Sequence, residues 1–181
     1  MLSKNEIQMG KFLSLVLRHK PEVIGLTLDK HGWADVNELL VCMKRSGKTL
    51  SFDMLEKIVN ENDKHRYSFN EDKSKIRANQ GHSIHVDVEL KEIKPPDVLY
   101  HGTATRFLGS IMDTGINSGS RIHVHLSGDY KTALDVGIRH GKPVVLTIDS
   151  GRMYKDGHKF FLSANNVWLC DRVPAEYIQK L

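Results

Sequence analysis

The sequence predicts an α+β protein in two parts, a small helical module followed by a mostly β half. Three observations predict it. Apolar stripes at helical spacing fill the chain before Asn62. After Asn62-Asp63 the apolar period falls toward two, the spacing of a strand with one face covered. Lys94-Pro-Pro-Asp97 is the most linker-like stretch of the chain, so we expect a first domain over 1–93, a linker at 94–97 and a second domain over 98–181.

In the first part, Ser3-Lys-Asn-Glu6 is a capping-box pattern. Ile7, Phe12, Leu13, Val16 and Leu17 follow at helical spacing, and Pro21 ends the helix near Lys20. Arg18 and His19 fall in its last turn, where cations also complement the helix dipole. An extended piece at Gly25-Leu-Thr-Leu28 leads to a turn at Asp29 to Gly32. Asp35 and Ser51 are caps for two further helices, one stopping near Gly47 and the other striped by Phe52, Leu55, Ile58 and Val59. Arg66-Tyr-Ser-Phe69 and Lys75-Ile-Arg77 read as a hairpin around Asn70-Glu-Asp72. Three short helices and a hairpin suggest a winged-helix module, a relative of the helix-turn-helix. A donor-rich loop, Arg77-Ala-Asn-Gln-Gly-His-Ser83, comes next. His85-Val-Asp-Val-Glu-Leu-Lys91 alternates and is expected to be a strand.

In the second part, Val98-Leu-Tyr-His101 is a strand running into Gly102-Thr103, and a short helix through Leu108 and Ile111 ends near Gly115. Gly119-Ser-Arg-Ile-His-Val-His-Leu-Ser127 is expected to be a strand with Ile122, Val124 and Leu126 on one face. The other face then carries Arg121, His123, His125 and Ser127, which suits a phosphate-bearing ligand. A helix from about Tyr130 to Arg139, a buried strand at Val144 to Ile148, a hairpin around Asn165-Asn166 and a helical turn at Pro174 to Ile178 complete the reading.

Composition narrows the class. The 181 residues are 40% hydrophobic and 27% charged, enough for a packed core and against disorder. Net charge is +4 and the isoelectric point about 9.0, a mild lean toward anionic partners. Cys42 and Cys170 are far apart with no C-x-x-C spacing, so reduced structural thiols are expected and no metal site. No apolar run approaches the length of a membrane span, and the N-terminus lacks an apolar signal core, so a cytoplasmic protein is the expectation, with a monomer as the default.

The histidines allow three chemistries. His123-x-His125 puts two imidazoles on one strand face, as some metal sites do, but no third ligand stands at matching spacing. His101-Gly-Thr103 and His125-Leu-Ser127 both fit H-x-[S/T], the paired motif of two-histidine phosphoesterases. Only one short helix separates them, whereas such a fold needs a repeated half.

The third is a resemblance. His-Gly-Thr after a strand, then a His-Leu-Ser strand, then an aliphatic residue at Val167 on a later strand resembles the NAD-binding core of ADP-ribosyltransferases. Over nearly its full length the chain resembles the KptA-type RNA 2′-phosphotransferases. The carrying residues are Phe12-Leu-Ser-Leu-Val-Leu-Arg-His19, Gly32-Trp33, Arg66-Tyr67, Arg77-Ala-Asn-Gln-Gly-His-Ser83, Tyr100-His-Gly-Thr103, Arg121-Ile-His-Val-His-Leu-Ser127, Arg139-His-Gly-Lys-Pro143 and Asn166-Val-Trp168.

The resemblance implies a winged-helix domain followed by an ADP-ribosyltransferase-like domain. It implies NAD-dependent removal of an internal 2′-phosphate from RNA, tRNA-like or other. The phosphate first attacks the nicotinamide ribose of NAD and expels nicotinamide. A ribose hydroxyl then attacks phosphorus, giving 2′-OH RNA and ADP-ribose 1″,2″-cyclic phosphate. The family's essential Arg-His-Arg-Arg set carries over to Arg18, His19, Arg66 and Arg121. The arginines are expected on the phosphate oxygens and His19 as proton mover or further donor, in a site between the domains. On the cofactor side, His101 is expected on a ribose hydroxyl and the Gly102 backbone on the nicotinamide amide, with Thr103, His125 and Ser127 lining the cleft. Val167 stands where many transferases have a catalytic glutamate, which argues against modification of protein acceptors. Arg77, Gln80, His82 and Ser83 are expected to touch phosphate or pyrophosphate, and no metal is implied. A non-catalytic winged-helix nucleic-acid-binding protein is the alternative from another class.

Overall fold

The first helix, α1 (Lys4–Arg18), begins at the expected capping box: the Ser3 N–H donates to the Glu6 carboxylate at 2.6 Å and the Glu6 N–H to the Ser3 hydroxyl at 3.3 Å. A computed structural model describes residues 1–62 and 64–180. Asp63, part of the expected break in period, and Leu181, the last residue of the expected second domain, lie outside the described residues. Those described form two compact units, Met1–Glu89 and Leu90–Leu181, each with its own apolar core.

In the first unit α1 ends at Arg18 because Pro21 opens a separate 3-10 turn. Helices α2 (Val36–Arg45) and α3 (Phe52–Asn60) are capped by the side chains of Asp35 and Ser51, as their spacing predicts. Leu13 and Leu17 of α1, Leu39 of α2, and Leu55 and Ile58 of α3 are fully buried together. Strands β1 (Ala34–Asp35), β2 (Tyr67–Phe69) and β3 (Lys75–Ala78) close this core as an antiparallel sheet in the order β1-β3-β2. Ile76 at the centre of β3 completes it.

The second unit opens with β4 (Leu99–Ala104), α4 (Leu108–Thr114) and β5 (Ile116–Asn117). Then come β6 (Val124–Leu126), α5 (Tyr130–Ile138), β7 (Pro143–Ile148) and α6 (Ser150–Lys155). It ends with β8 (Phe161–Leu162), β9 (Trp168–Cys170), β10 (Arg172–Val173) and β11 (Ile178–Lys180). One antiparallel sheet runs β11-β7-β4 and another β6-β9-β8, while β5 and β10 pair separately. Outside the named ladders, the Tyr100 and Ser127 backbones exchange hydrogen bonds of 2.9 and 2.8 Å, which joins β4 to the end of β6. Helix α5 lies against β4 so closely that a Cβ on Gly102 would stand 1.6 Å from the Ala133 carbonyl oxygen.

Three expectations are corrected. Residues 85–91 form no strand. Their backbone meets the Asp29–Gly32 turn instead, with the Asp87 N–H on the Lys30 carbonyl at 2.9 Å and the His31 ring on the Asp87 carbonyl, and Glu89 takes a positive φ of 58°. The strand expected over 119–127 shrinks to β6, because Gly119 has φ +65° and the Arg121 N–H turns back to the Ser118 carbonyl. Arg121 and His123 therefore lie in bends before the strand, and Ile122 is exposed. Val167 is not on a later strand; it closes the β8–β9 hairpin one residue short of β9, held by Ser163. Residues 94–97 pack onto α6, where the Pro96 and Asp97 carbonyls accept from the Ser150 hydroxyl and the Gly151 N–H.

Candidate active site

In the first unit the end of α1, the start of β2 and the loop after β3 bring Arg18, His19, Arg66, His82 and Ser83 together. Arg18 is buried, and its Nη2 donates to the Arg66 carbonyl at 3.4 Å. That carbonyl also receives the N–H of buried Asn79, whose side chain grips the His65 carbonyl at 2.7 Å. The Arg66 Nη1 donates to the Asn62 side chain at 3.2 Å. The charges of both arginines favour ionisation of the Tyr67 hydroxyl, but its burial outweighs them and raises that group above its ordinary value. The Tyr67 hydroxyl donates to the Gly10 carbonyl at 2.6 Å, which leaves the Ser14 hydroxyl as its donor at 2.7 Å.

His19 ends α1 with its Nδ1 at 2.9 Å from the Ser83 hydroxyl, and the Ser83 N–H donates to the Arg18 carbonyl at 3.0 Å. Residues 81–83 are thus laced to the end of α1. Gly81, at φ +86°, comes so near Arg18 that a Cβ would touch Nη1 at 3.4 Å. His82 between them is 3% exposed, and its Nε2 has no hydrogen-bond partner among the described residues. Burial first, then the charges of Arg18, His19 and Arg77, push its imidazole down to about 4, so it is neutral at pH 7. Arg77 lies over the Trp33 ring at 4.4 Å and pairs with Glu89 at 3.2 Å. Gln80 is half-buried in the same loop.

The second unit holds another cluster. His101 Nδ1 stands 3.2 Å from the His125 carbonyl, an acceptor only, so Nδ1 carries the proton and the neutral ring presents Nε2 as an acceptor. Burial chiefly, and the charge of His140 in addition, lower the His101 pKa against the pull of that carbonyl. Thr103 is buried two residues further along β4. Arg121 Nη1 lies 3.0 Å from His125 Nδ1. Partial burial, and after it the charge of Arg139, lower the Arg121 guanidinium from its ordinary value without discharging it.

Gly102 contributes backbone. Tyr100 exchanges both its main-chain hydrogen bonds with Ser127, so its pairing with Thr147 of β7 is of the non-hydrogen-bonded kind. Alternation makes His101–Leu146 a hydrogen-bonded pair and Gly102–Val145 again a non-bonded one. The Gly102 N–H and C=O therefore face the same edge as those of Tyr100, next to the His101–His125 contact.

The family model described as RNA 2′-phosphotransferase, Tpt1 / KptA family, matches residues 4–172. The chain belongs to that family. A Fusobacterium nucleatum protein named "Probable RNA 2′-phosphotransferase" is 56% identical over 176 residues, covering 97% of this chain and 98% of its own. Similarly named proteins of Flavobacterium johnsoniae and Pectobacterium atrosepticum are 56% identical over 171 residues (94% of each chain) and 46% identical over 180 (99% of this chain, 100% of theirs). The chain is accordingly an enzyme of the transferase class.

Within this family member, the expected residues fall into one cluster per unit. Arg18, His19, Arg66, Arg77, His82 and Ser83 gather in the first, and His101, Gly102, Arg121, His125 and Ser127 in the second. Val167 has its backbone tied into the hairpin turn. His123 packs on Phe161 at 5.8 Å between ring centroids, a support for β8 and β6. Sequence reasoning missed Asn62 and gave no role to Asn79, Tyr67, Arg139 and His140, which it quoted only within motifs: the two asparagines hold Arg66 by its side chain and carbonyl, Arg18 lies over the Tyr67 ring at 6.0 Å, and the charges of Arg139 and His140 reach Arg121 and His101. Asn62 and Asn79 flank Arg66 and the loop, but a surface asparagine has the same spelling. Cys42 and Cys170 are buried, and burial pushes the Cys170 thiol up to about 12, so it is unreactive. Among the described residues no helix is long and apolar enough to cross a membrane.

Proposed function

We propose that the chain removes an internal 2′-phosphate from RNA, with NAD consumed as the acceptor, and that Arg18, His19, Arg66 and Arg121 bind and orient that phosphate. The observation that carries the reading is the lacing of Arg18, His19 and Arg66 by main-chain and asparagine contacts in a member of this family. Forked guanidinium donors suit a phosphate dianion, and fixing them beforehand lowers the cost of gathering like charges. The helices and β1-β3-β2 sheet of the first unit agree with a winged-helix module, and the paired sheets of the second with an ADP-ribosyltransferase core.

The second cluster fits NAD. The N–H and C=O of Gly102 at one edge complement a primary carboxamide, which offers one acceptor and two donors, and the His101 Nε2 suits a ribose hydroxyl as its donor. NAD supplies an anomeric carbon with a good leaving group. The chain's own part is orientation: guanidinium groups hold the phosphate oxygens and offset charge as phosphorus is attacked, and His19 moves the proton between the incoming ribose hydroxyl and the departing RNA 2′-oxygen. Ser83 holds the His19 ring for that task. Thr103 and Ser127 line the cofactor side, and Arg77, Gln80 and His82 back the phosphate side. No step calls for a metal, and the reading takes the chain as a cytoplasmic monomer.

The test is a 2′-phosphorylated oligoribonucleotide incubated with and without NAD. Phosphate loss only with NAD, and release of nicotinamide, is expected. Loss without NAD would favour the two-histidine phosphoesterase, and binding alone the non-catalytic module. Arg66→Ala is expected to keep NAD affinity and lose turnover; full activity in that variant would sink the assignment of the four residues.

A further inference from the structure

The contact of Arg121 with His125 has a use beyond lining a cofactor cleft. Arg121 lies in the bend before β6, outside any ladder. His125 is the opposite case. It is the central residue of β6, paired with Leu169 of β9, and its carbonyl receives the His101 ring at 3.2 Å. The 3.0 Å approach of Arg121 Nη1 to His125 Nδ1 therefore ties a cation outside the sheet to a ring on a paired strand. A guanidinium can only donate, so Nδ1 accepts and the proton of the neutral ring is on Nε2.

The type of acceptor matters. A carboxylate in this place would take Arg121 as a forked, charge-neutralising pair and compete with phosphate. A neutral imidazole accepts one N–H and leaves the positive charge and the other donors for a ligand. Arg139, whose charge reaches Arg121, adds a second cation, in keeping with an anion as the intended partner.

We infer that His125 is a positioning residue for Arg121: its Nδ1 holds the guanidinium toward the RNA 2′-phosphate. The inference rests on the proposed assignment of Arg121 to that phosphate. It removes His125 from the direct cofactor ligands and makes β6 the support through which Arg121 is held.

The experiment measures, without NAD, the affinity of the full chain for an oligoribonucleotide bearing one internal 2′-phosphate against the same strand with a 2′-hydroxyl, and separately the KM for NAD. His125→Ala is expected to reduce the preference for the phosphorylated strand by about five- to tenfold, with the KM for NAD changed less than about twofold. His125→Asn, whose amide oxygen can take the place of Nδ1, is expected to restore most of the preference. His125→Asp is expected to do worse than Ala. In an Arg121→Ala background, His125→Ala should cost nothing further. A rise in the KM for NAD with phosphate preference intact would overturn the inference, as would additive losses in the double variant or failure of Asn to rescue. If Arg121→Ala itself leaves the preference unchanged, the assignment of Arg121 to the phosphate fails, and the inference with it.

Discussion

Gly102→Ala is the substitution whose cost the structure specifies best. A Cβ at this position would lie 1.6 Å from the Ala133 carbonyl oxygen, 2.5 Å from its carbonyl carbon and 3.0 Å from the Gly137 nitrogen. All three are backbone atoms of α5, so no rotamer change relieves the clash. Non-bonded heavy atoms need roughly 3.5 Å, so α5 would have to retreat by about 2 Å or β4 bend by as much. Overpacking in a core costs about 1–3 kcal/mol when side chains can adjust. With backbone on both sides, about 3 kcal/mol or more is expected. For a domain of this size each kcal/mol moves Tm by about 4–8 °C, so the second unit should melt roughly 12–24 °C lower. Circular dichroism melts and urea titrations of the purified chain measure this directly. Gly109→Ala is the control: nothing lies within 4 Å of that Cβ, the residue is in α4, and the change should stabilise by up to about 1 kcal/mol. A Gly102→Ala protein melting within about 2 °C of the parent would refute the packing argument.

Two further outcomes are expected. Ser83→Ala removes the partner of His19 Nδ1 from an exposed position, so kcat should fall by roughly two- to tenfold with Tm unchanged; an unaltered kcat would show that the ring is held by other means. His82 acts through acid. In the unfolded chain it takes a proton near pH 6.5, but in the folded protein only at about 4. Between those values the unfolded state binds more protons, so stability falls as pH drops through this window, by roughly 3 kcal/mol at its lower end. His82→Gln should flatten this acid loss in urea midpoints compared at about pH 7 and 4.5; an equal loss in both proteins would mean that His82 is not its source.

What was legible in the sequence is what is local. The capping box at Ser3, the caps at Asp35 and Ser51 and the stop before Pro21 are decided within a few residues, and each helix start followed from them. Strands of two or three residues such as β1, β5, β10 and β11 owe their existence to partners far along the chain, so no pattern announces them. Residues 85–91 show the converse. Their alternation is sound, but their backbone partners are Lys30 and His31, not a neighbouring strand. The candidate site divides in the same way. The arginines and histidines stand out in their motifs, whereas Asn62 and Asn79, which hold Arg66 by its side chain and carbonyl, have spellings shared with ordinary surface positions. His123 and His125 looked equivalent on paper; only packing on Phe161 and contact with Arg121 tell them apart.

The exchange between Tyr100 and Ser127 leaves the Gly102 peptide groups turned toward the edge beyond that stitch. The groups offered there belong to the main chain, so side-chain replacements that spare the β4 backbone leave them in place. Mutational drift at neighbouring side chains can therefore retune how fast the reaction runs, while this main-chain edge is kept for as long as β4 holds its register against β7.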